Sequence, residues 1–558
     1  MGGRSLFTLI LLCCSAGLAA QTAPEHYWVR FTTKAGTPFD LAQPEDYPSP
    51  RALERRARYG IAIDSTDLPI DPAFLNELLA WGDFRIVNRS KWNNAVTIRT
   101  TDTLALDTLH LAPFVAQVKC TRRAERREGR VPDKFGGTAK TEIGDHYQGI
   151  FGPAYRQLSM MNAHLLQERA EARGEGMLIG VLDSGFDGVD SSATFAALRA
   201  RGGIVHAQDM AFPGSDIYQE HWHGRSVLSV MAGTLPGAYQ GAAPMADYAL
   251  FRTEVESSEY IWEEDNWIAG AEVADSLGCD VLSTSLGYTT FEDSLTDHTY
   301  ADMDGATTRI SIAAGRAAAK GMLVVNSAGN SGQSEWYHIS APADAFGILS
   351  VGAVNDARTL APFSSRGPSS DGRIKPEVAA VGLGTQALSP WGEGIIGVNG
   401  TSFSCPLMAG SVACLWQLHR DRTPQEIIAA VLASASQHAA PDNDLGHGIP
   451  DLWRAHLLLL GRDLTNLSTT TFMEVFPVPF GSDFNVEVFT GEAQAIDLRL
   501  VDMSGREVWS AGATVDPGTY QQIHVGDVAL QRLNAGAYLL RMTMGDKVTT
   551  RRVVKVIR

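Results

Sequence analysis

Trp267–Leu277 (WIAGAEVADSL) has helical spacing. Val281–Thr284 (VLST) is a short apolar run, Thr308–Lys320 (TRISIAAGRAAAK) is helical again, and Met322–Asn326 (MLVVN) is a second run. Short apolar runs alternating with helical patterns indicate a parallel sheet covered on both faces. The pattern extends outward. Met177–Leu182 is a run before this stretch and Gly347–Val354 is one after it, so the α/β region fills roughly 150–460. Sheets of this kind bind ligands beyond the carboxyl ends of their strands. The residues just after each run are therefore the first place to look for chemistry.

The flanks read differently. Arg4, the apolar run Leu6–Leu12 and the small residues up to Ala20 have the order of a secretory signal peptide, assigned to 1–20. Residues 21–120 read as a small α+β domain. It has a strand at His26–Phe31, helical spacing at Pro50–Tyr59 and Asp71–Trp81, and a strand at Ala95–Arg99. A basic stretch through Arg122, Arg123, Arg126, Arg127 and Arg130 opens a linker and candidate processing zone at 121–149. Residues 461–471, ending in a Ser/Thr tract, form a second linker. Residues 472–558 alternate in short runs at Phe484–Phe489, Ile496–Val501, Ala537–Thr543 and Val548–Val556, as a small β-sandwich does.

The 558 residues are 44% hydrophobic and 20% charged, which is globular composition and excludes a disordered or multi-span membrane chain. The formal charge of −17 gives no footprint for nucleic acid, and after the leader no stretch reaches the ~20 apolar residues of a membrane span. Beyond the leader the cysteines are Cys120, Cys279, Cys405 and Cys414, with neither CxxC nor zinc spacing, and buried free thiols are expected.

Four segments carry candidate chemistry. Asp183 ends the run in Ile179–Gly185 (IGVLDSG), which places a carboxylate at the sheet's ligand edge; such an Asp also serves as a turn residue. His223 lies in His221–Leu228 (HWHGRSVL) at the start of a helical pattern. The His-x-His pair lacks the partners of a metal motif, so no metal ligand is assigned. Asn330 closes Val324–Gly332 (VVNSAGNSG), a glycine-framed loop from which an amide can donate. Ser402 lies in Val398–Gly410 (VNGTSFSCPLMAG), at a glycine turn entering a helix. A serine there is either an N-cap or a nucleophile whose oxyanion meets nearby N–H groups.

The order Asp, His, Asn, Ser along an α/β domain resembles a subtilisin-like serine peptidase of family S8 over roughly 150–455. The run Phe363–Pro368 (FSSRGP) followed by Asp371–Glu377 (DGRIKPE) is the most specific match. The resemblance implies a subtilisin-like parallel sheet with helices on both faces. Ser402 is then the nucleophile, His223 the general base and acid, Asp183 its orienting partner and Asn330 an oxyanion donor. Ser285, Leu286 and Gly287 match the substrate-binding strand. No cofactor is required. Calcium is a common stabiliser in the family, but no segment here offers a convincing ligand set.

Three positions depart from the family pattern: Arg225 stands for Thr, Leu407 for His and Glu377 for Asp. Around Ser90–Ala95 (SKWNNA) the first domain resembles a propeptide of exported Bacteroidetes subtilases. The tail resembles a type IX secretion sorting domain at Phe476–Pro479, Asp502–Arg506, Leu533–Tyr538 and Lys555-Val556. The expected function is a secreted serine endopeptidase made as a zymogen. It would reach the outside or the cell surface via periplasm and outer membrane. Its partners would be protein or peptide substrates, its own propeptide as intramolecular inhibitor, and the type IX machinery, with no nucleic acid and no transmembrane anchor. The alternative is a catalytically impaired pseudopeptidase acting as a surface binding protein, motivated by Arg225 and Leu407. An esterase is disfavoured because Gly400–Ser404 lacks the second glycine of G-x-S-x-G.

Overall fold

The computed structural model describes residues 25–123, 134, 149–461, 472–476, 478–489, 494–515, 520–526 and 528–556. The leader, most of the processing zone and the Ser/Thr tract lie outside the described residues. The chain divides into two units, Met1–Leu459 and Leu460–Arg558.

The first unit begins with a four-stranded antiparallel sheet of β1 (Glu25–Phe31), β2 (Arg85–Ser90), β3 (Ala95–Thr100) and β4 (Val115–Arg122), in the order β2-β3-β1-β4. Its helices are α1 (Pro50–Arg58), α2 (Pro72–Trp81) and α3 (Thr103–Leu109). Ser49 caps α1 through the Ala52 N–H, and Asp71 caps α2 through the Ala73 N–H, each just ahead of a proline at N1. Val29, Phe31, Leu78, Val96 and Ile98 form the core between sheet and helices. β4 runs on into the start of the basic stretch, through Arg122.

The seven-stranded sheet follows, all parallel. It comprises β5 (Leu178–Asp183), β6 (Ile204–Asp209), β7 (Asp247–Arg252), β8 (Val281–Thr284), β9 (Leu323–Ser327), β10 (Leu349–Val354) and β11 (Val378–Val381), in the order β11-β10-β9-β8-β5-β7-β6. β5 and β8 to β11 are buried at every position on both faces, as a sheet covered on both sides requires. Sequence alternation alone did not separate β6, β7 and β11 from their surroundings. On one face lie α5 (Trp262–Leu277) and α6 (Arg309–Ala319), whose Trp267, Ile268, Ala314 and Ala317 share a core with Leu282 and Val324. On the other lies α7 (Thr401–Gln417), buried from Thr401 to Trp416, with α4 (His223–Ala232) against it. Cys279, Cys405 and Cys414 are buried free thiols, and Cys120 is half-buried.

The N-terminal domain docks on α5 and α6 through both apolar packing, with Trp92 buried in the core of those helices, and charge. Arg55 and Arg56 both reach the buried Asp275, Arg56 at 3.0 Å. The β2–β3 turn closes on Asn94, whose φ of 49° suits an asparagine. That turn presents the Ser90 hydroxyl (2.5 Å) and the Lys91 and Trp92 N–H groups (2.6 and 3.0 Å) to the Glu272 carboxylate. Burial nevertheless pushes the Glu272 carboxyl up to about 7. His26 stacks on Trp262 with ring centroids 4.5 Å apart.

The second unit consists of two antiparallel sheets. One has Phe472–Phe476, Asp483–Phe489 and Tyr520–Gly526; the other has Gln494–Asp502, Glu507–Val515, Gly536–Met544 and Lys547–Lys555. Phe484, Val486 and Val525 of the first share one core with Leu498, Leu500, Leu540 and Met542 of the second, which makes it a sandwich.

Removing one partner of a buried ion pair costs about 3–5 kcal/mol. Asp275→Ala takes the carboxylate partner from buried Arg55 and leaves Arg56 with Asp67 alone. Limited proteolysis within 25–123 is expected to accelerate sharply while the sheet domain stays resistant; unchanged proteolysis would show that the arginines do not hold the docking.

Candidate active site

β5 delivers Asp183 to the carboxyl edge of the sheet, fully buried. Its Oδ1 lies 2.7 Å from His223 Nδ1, and the imidazole is fully buried as well. A carboxylate has no proton to give, so Nδ1 carries the hydrogen and Nε2 is left as the basic nitrogen. Asp183 Oδ1 also accepts from the Ser184 N–H (2.8 Å) and hydroxyl (3.2 Å), and Ser184 Oγ lies 2.8 Å from His221 Nδ1. His221 and His223 therefore face different partners.

The approach of α4 to β5 depends on Gly224. A Cβ there would lie 2.3 Å from the Gly185 carbonyl oxygen and 2.9 Å from the Asp183 Cβ. No side chain fits where the helix must come close enough for His223 to reach Asp183.

Ser402 is the second residue of α7 and is buried. Gly400 before it has a φ of 142°, a conformation suited to glycine. Ser402 Oγ lies 3.5 Å from the Ser285 carbonyl oxygen, and the Ser285 hydroxyl donates to the Ser402 carbonyl at 2.8 Å. Pro406 explains the second bond. It has no N–H to give the carbonyl four residues back, which is that of Ser402, so another donor must satisfy it. Phe403 packs on the His223 ring at 5.7 Å, joining the two helices at the site.

Asn330 is exposed at the end of β9's loop. Its Oδ1 accepts from both the N–H and the hydroxyl of Thr401 at 2.9 Å. That fixes which end of the amide is Nδ2. The point where a Cβ on Gly400 would stand is 3.7 Å from both Asn330 Nδ2 and the Ser402 N–H nitrogen, so these two donors border one space. Ser285, Leu286 and Gly287 follow directly on β8 at the same edge.

The three departures from the family pattern are accommodated. Arg225 points its guanidinium to the carbonyls of Ser389 (2.9 Å) and Pro390 (3.0 Å), with Asp187 at 3.7 Å. Leu407 is buried within α7. Glu377 receives the Ser350 N–H (2.7 Å) and hydroxyl (2.5 Å) and pairs with Lys375 at 2.6 Å. Sequence reading passed over Ser184 and Thr401 as site-building residues. Their only signal was adjacency to Asp183 and Ser402.

Residues 174–448 match the model described as the subtilase family. The central domain belongs to the subtilase family. Residues 26–134 match the peptidase S8 propeptide domain of Bacteroidota, and residues 474–556 a secretion system C-terminal sorting domain. The sorting domain marks the chain for the cell surface or the extracellular space. The membrane-bound transcription factor site-1 protease of Mus musculus is 30% identical over 42% of this chain, and subtilisin of Bacillus pumilus 28% identical over 46%. The match spans 22% of the mouse protein's length and 82% of the subtilisin's. A solved structure of the prenylagaramide maturation protease PagA, 24% identical, aligns over 54% of this chain and 98% of its own with a TM-score of 0.42. Among the described residues no helix of this subtilase chain is long and apolar enough to cross a membrane.

Arg225→Ala removes the donor from two carbonyls. Charged hydrogen bonds contribute about 1.5–3 kcal/mol, so thermal unfolding is expected several degrees lower while an active-site serine probe still labels Ser402. Lost labelling in a folded variant would give Arg225 a role in the chemistry itself.

Proposed function

We propose that the protein is an exported serine endopeptidase, made with an N-terminal domain that restrains it until removed. The observation that carries this reading is the buried Asp183–His223 pair beside the Ser402 helix terminus. Ser402 Oγ attacks the carbonyl carbon of a peptide bond. His223 Nε2 takes the hydroxyl proton and passes it to the departing amine, while Asp183 steadies the ring as it becomes positive. The carbonyl oxygen gains charge in the space bordered by Asn330 Nδ2 and the Ser402 N–H, at a helix N-terminus where negative charge is favoured. Water then releases the acyl group by the same steps in reverse order.

The peptide lies along Ser285–Gly287, where main-chain groups pair with an extended strand of any sequence. All the groups used come from the chain, so no cofactor is needed. The pseudopeptidase alternative rests on Arg225 and Leu407; the Arg225 guanidinium is bonded to the Ser389 and Pro390 carbonyls, and Leu407 is buried within α7.

Ser402→Ala is expected to abolish hydrolysis and fluorophosphonate labelling in a folded protein. Asn330→Ala is expected to lower kcat by about 10²–10³ while labelling continues slowly. Full hydrolysis by Ser402→Ala in a clean preparation would refute the mechanism.

Deletion after Leu467 removes the sorting domain. The truncated chain should cleave peptides normally and stay inside its host. Normal secretion of that chain would separate the tail from export.

A further inference from the structure

Glu254, Glu259 and Glu263 bring their carboxylate oxygens within 4.8 Å of one another. Three carboxylates this close and this buried repel each other and lose their water, so they need a cation. The structure supplies one from the N-terminal side of the chain. Lys134 Nζ lies 3.3 Å from Glu254, 2.8 Å from Glu259 and 2.6 Å from Glu263, with the Val255 carbonyl at 3.3 Å. The lysine side chain is 9% exposed, and the glutamates 3%, 13% and 0%. Tyr288 donates its hydroxyl to the far oxygen of Glu254, and the Tyr260 N–H (3.3 Å) donates to that of Glu263. The cage is thus held from outside and open to one ammonium within.

Its position connects it to the peptide cleft. Glu254 follows Thr253, whose N–H donates to the Asp183 carbonyl at 2.9 Å. Tyr288 follows Gly287, the last residue of the substrate-strand segment, and Ser285 is bonded to Ser402. Three residues of extended chain span about 10 Å, so the cage lies a few substrate residues from the nucleophile. Lys134 is also the last residue matched by the propeptide model.

We propose that Glu254, Glu259 and Glu263 form a subsite for a basic side chain of the peptide substrate, N-terminal to the bond that is cut, and that Lys134 is its intramolecular occupant before maturation. The inference rests on the peptidase reading above. It places the maturation cut C-terminal to Lys134. Direction follows from chain order: Lys134 precedes the subtilase domain, so a cut that frees that domain leaves Lys134 on the upstream side.

The occupant is an ammonium, held at hydrogen-bond lengths of 2.6–3.3 Å. The same oxygens stand close enough to one another to hold a metal ion, so calcium is the competing occupant in the test. Burial pushes the Glu259 carboxyl up to about 7 and that of Glu263 well above its usual range, while the Lys134 ammonium pulls both down and is itself held charged by the carboxylates. A cation in the cage is thus what favours the ionised carboxylates.

The test uses full-length protein allowed to mature, with active sites counted by fluorophosphonate labelling of Ser402. Quenched fluorescent peptides carry Lys, Arg or norleucine at each of four positions upstream of one scissile bond. Charged hydrogen bonds of this kind translate to about ten- to a hundredfold. Lys is expected to exceed norleucine in kcat/KM by at least about tenfold at one of these positions. In Glu259→Gln/Glu263→Gln that ratio is expected to fall to about twofold or less.

Lys134→Met leaves the cage intact. It should slow maturation yet yield an enzyme with the wild-type Lys ratio, which keeps the test informative if the double variant does not fold. Four results overturn the proposal: no basic preference in an enzyme that labels, a ratio unchanged in the double variant, Lys134 retained at the N-terminus of the active form, or a Lys ratio abolished by added calcium. Absence of both labelling and hydrolysis would count instead against the peptidase reading.

Discussion

A carboxylate and an imidazole held together out of water set the conditions for everything around them. Asp183 and His223 are fully buried, and each would be costly to bury alone. Their 2.7 Å contact offsets part of that cost only if strand and helix meet at contact distance. Gly224 permits the approach, and the Ser184 N–H and hydroxyl supply further donors to the carboxylate. The surrounding sheet makes the arrangement rigid. β5 lies inside it, so Asp183 cannot move without breaking pairing to β7 and β8.

The nucleophile side solves a different problem. Entry into α7 must leave the Ser402 N–H unbonded and pointing at the site, and must also keep the serine's own carbonyl satisfied. Helix geometry provides the first, because the opening N–H groups have no partner within the helix. Pro406 breaks the second, and Ser285 repairs it from β8's end. The repair couples Ser285–Gly287 to Ser402 by one hydrogen bond. Seen this way the proline and the serine are parts of one device, though 121 residues separate them in the chain.

Legibility in the sequence followed locality. Strand ends, glycine turns and the order of Asp183, His223, Asn330 and Ser402 could be read because each depends on neighbours a few residues away. β8 and β9 stood out as short apolar runs between helical stretches. β6, β7 and β11 did not. Ile204–Asp209 carries His206 and Gln208 among its apolar residues, and no helix separates Val378–Val381 from β10, so neither is set off from its surroundings. The contacts that join segments were not readable at all. Nothing in the spacing says that Arg225 reaches Ser389, that Thr401 sets the Asn330 amide, or that Lys134 meets three glutamates more than a hundred residues on.

The docking of the N-terminal domain shows why that last class matters. An interface meant to be permanent is expected to be apolar, yet here Asp275, Glu272 and the arginines of α1 carry much of it. Buried ion pairs add little net stability compared with packed apolar groups, but they penalise misplacement heavily, because any shift strands a charge. For a domain that leaves, as the proposed function has it, this is an advantage. The separated surfaces are charged and regain water, where an apolar interface would leave two sticky patches exposed. The same property turns the glutamate cage from a structural element into a binding element. On the proposed maturation the lysine departs, and a basic side chain entering the pocket would restore the partner that keeps these carboxylates ionised.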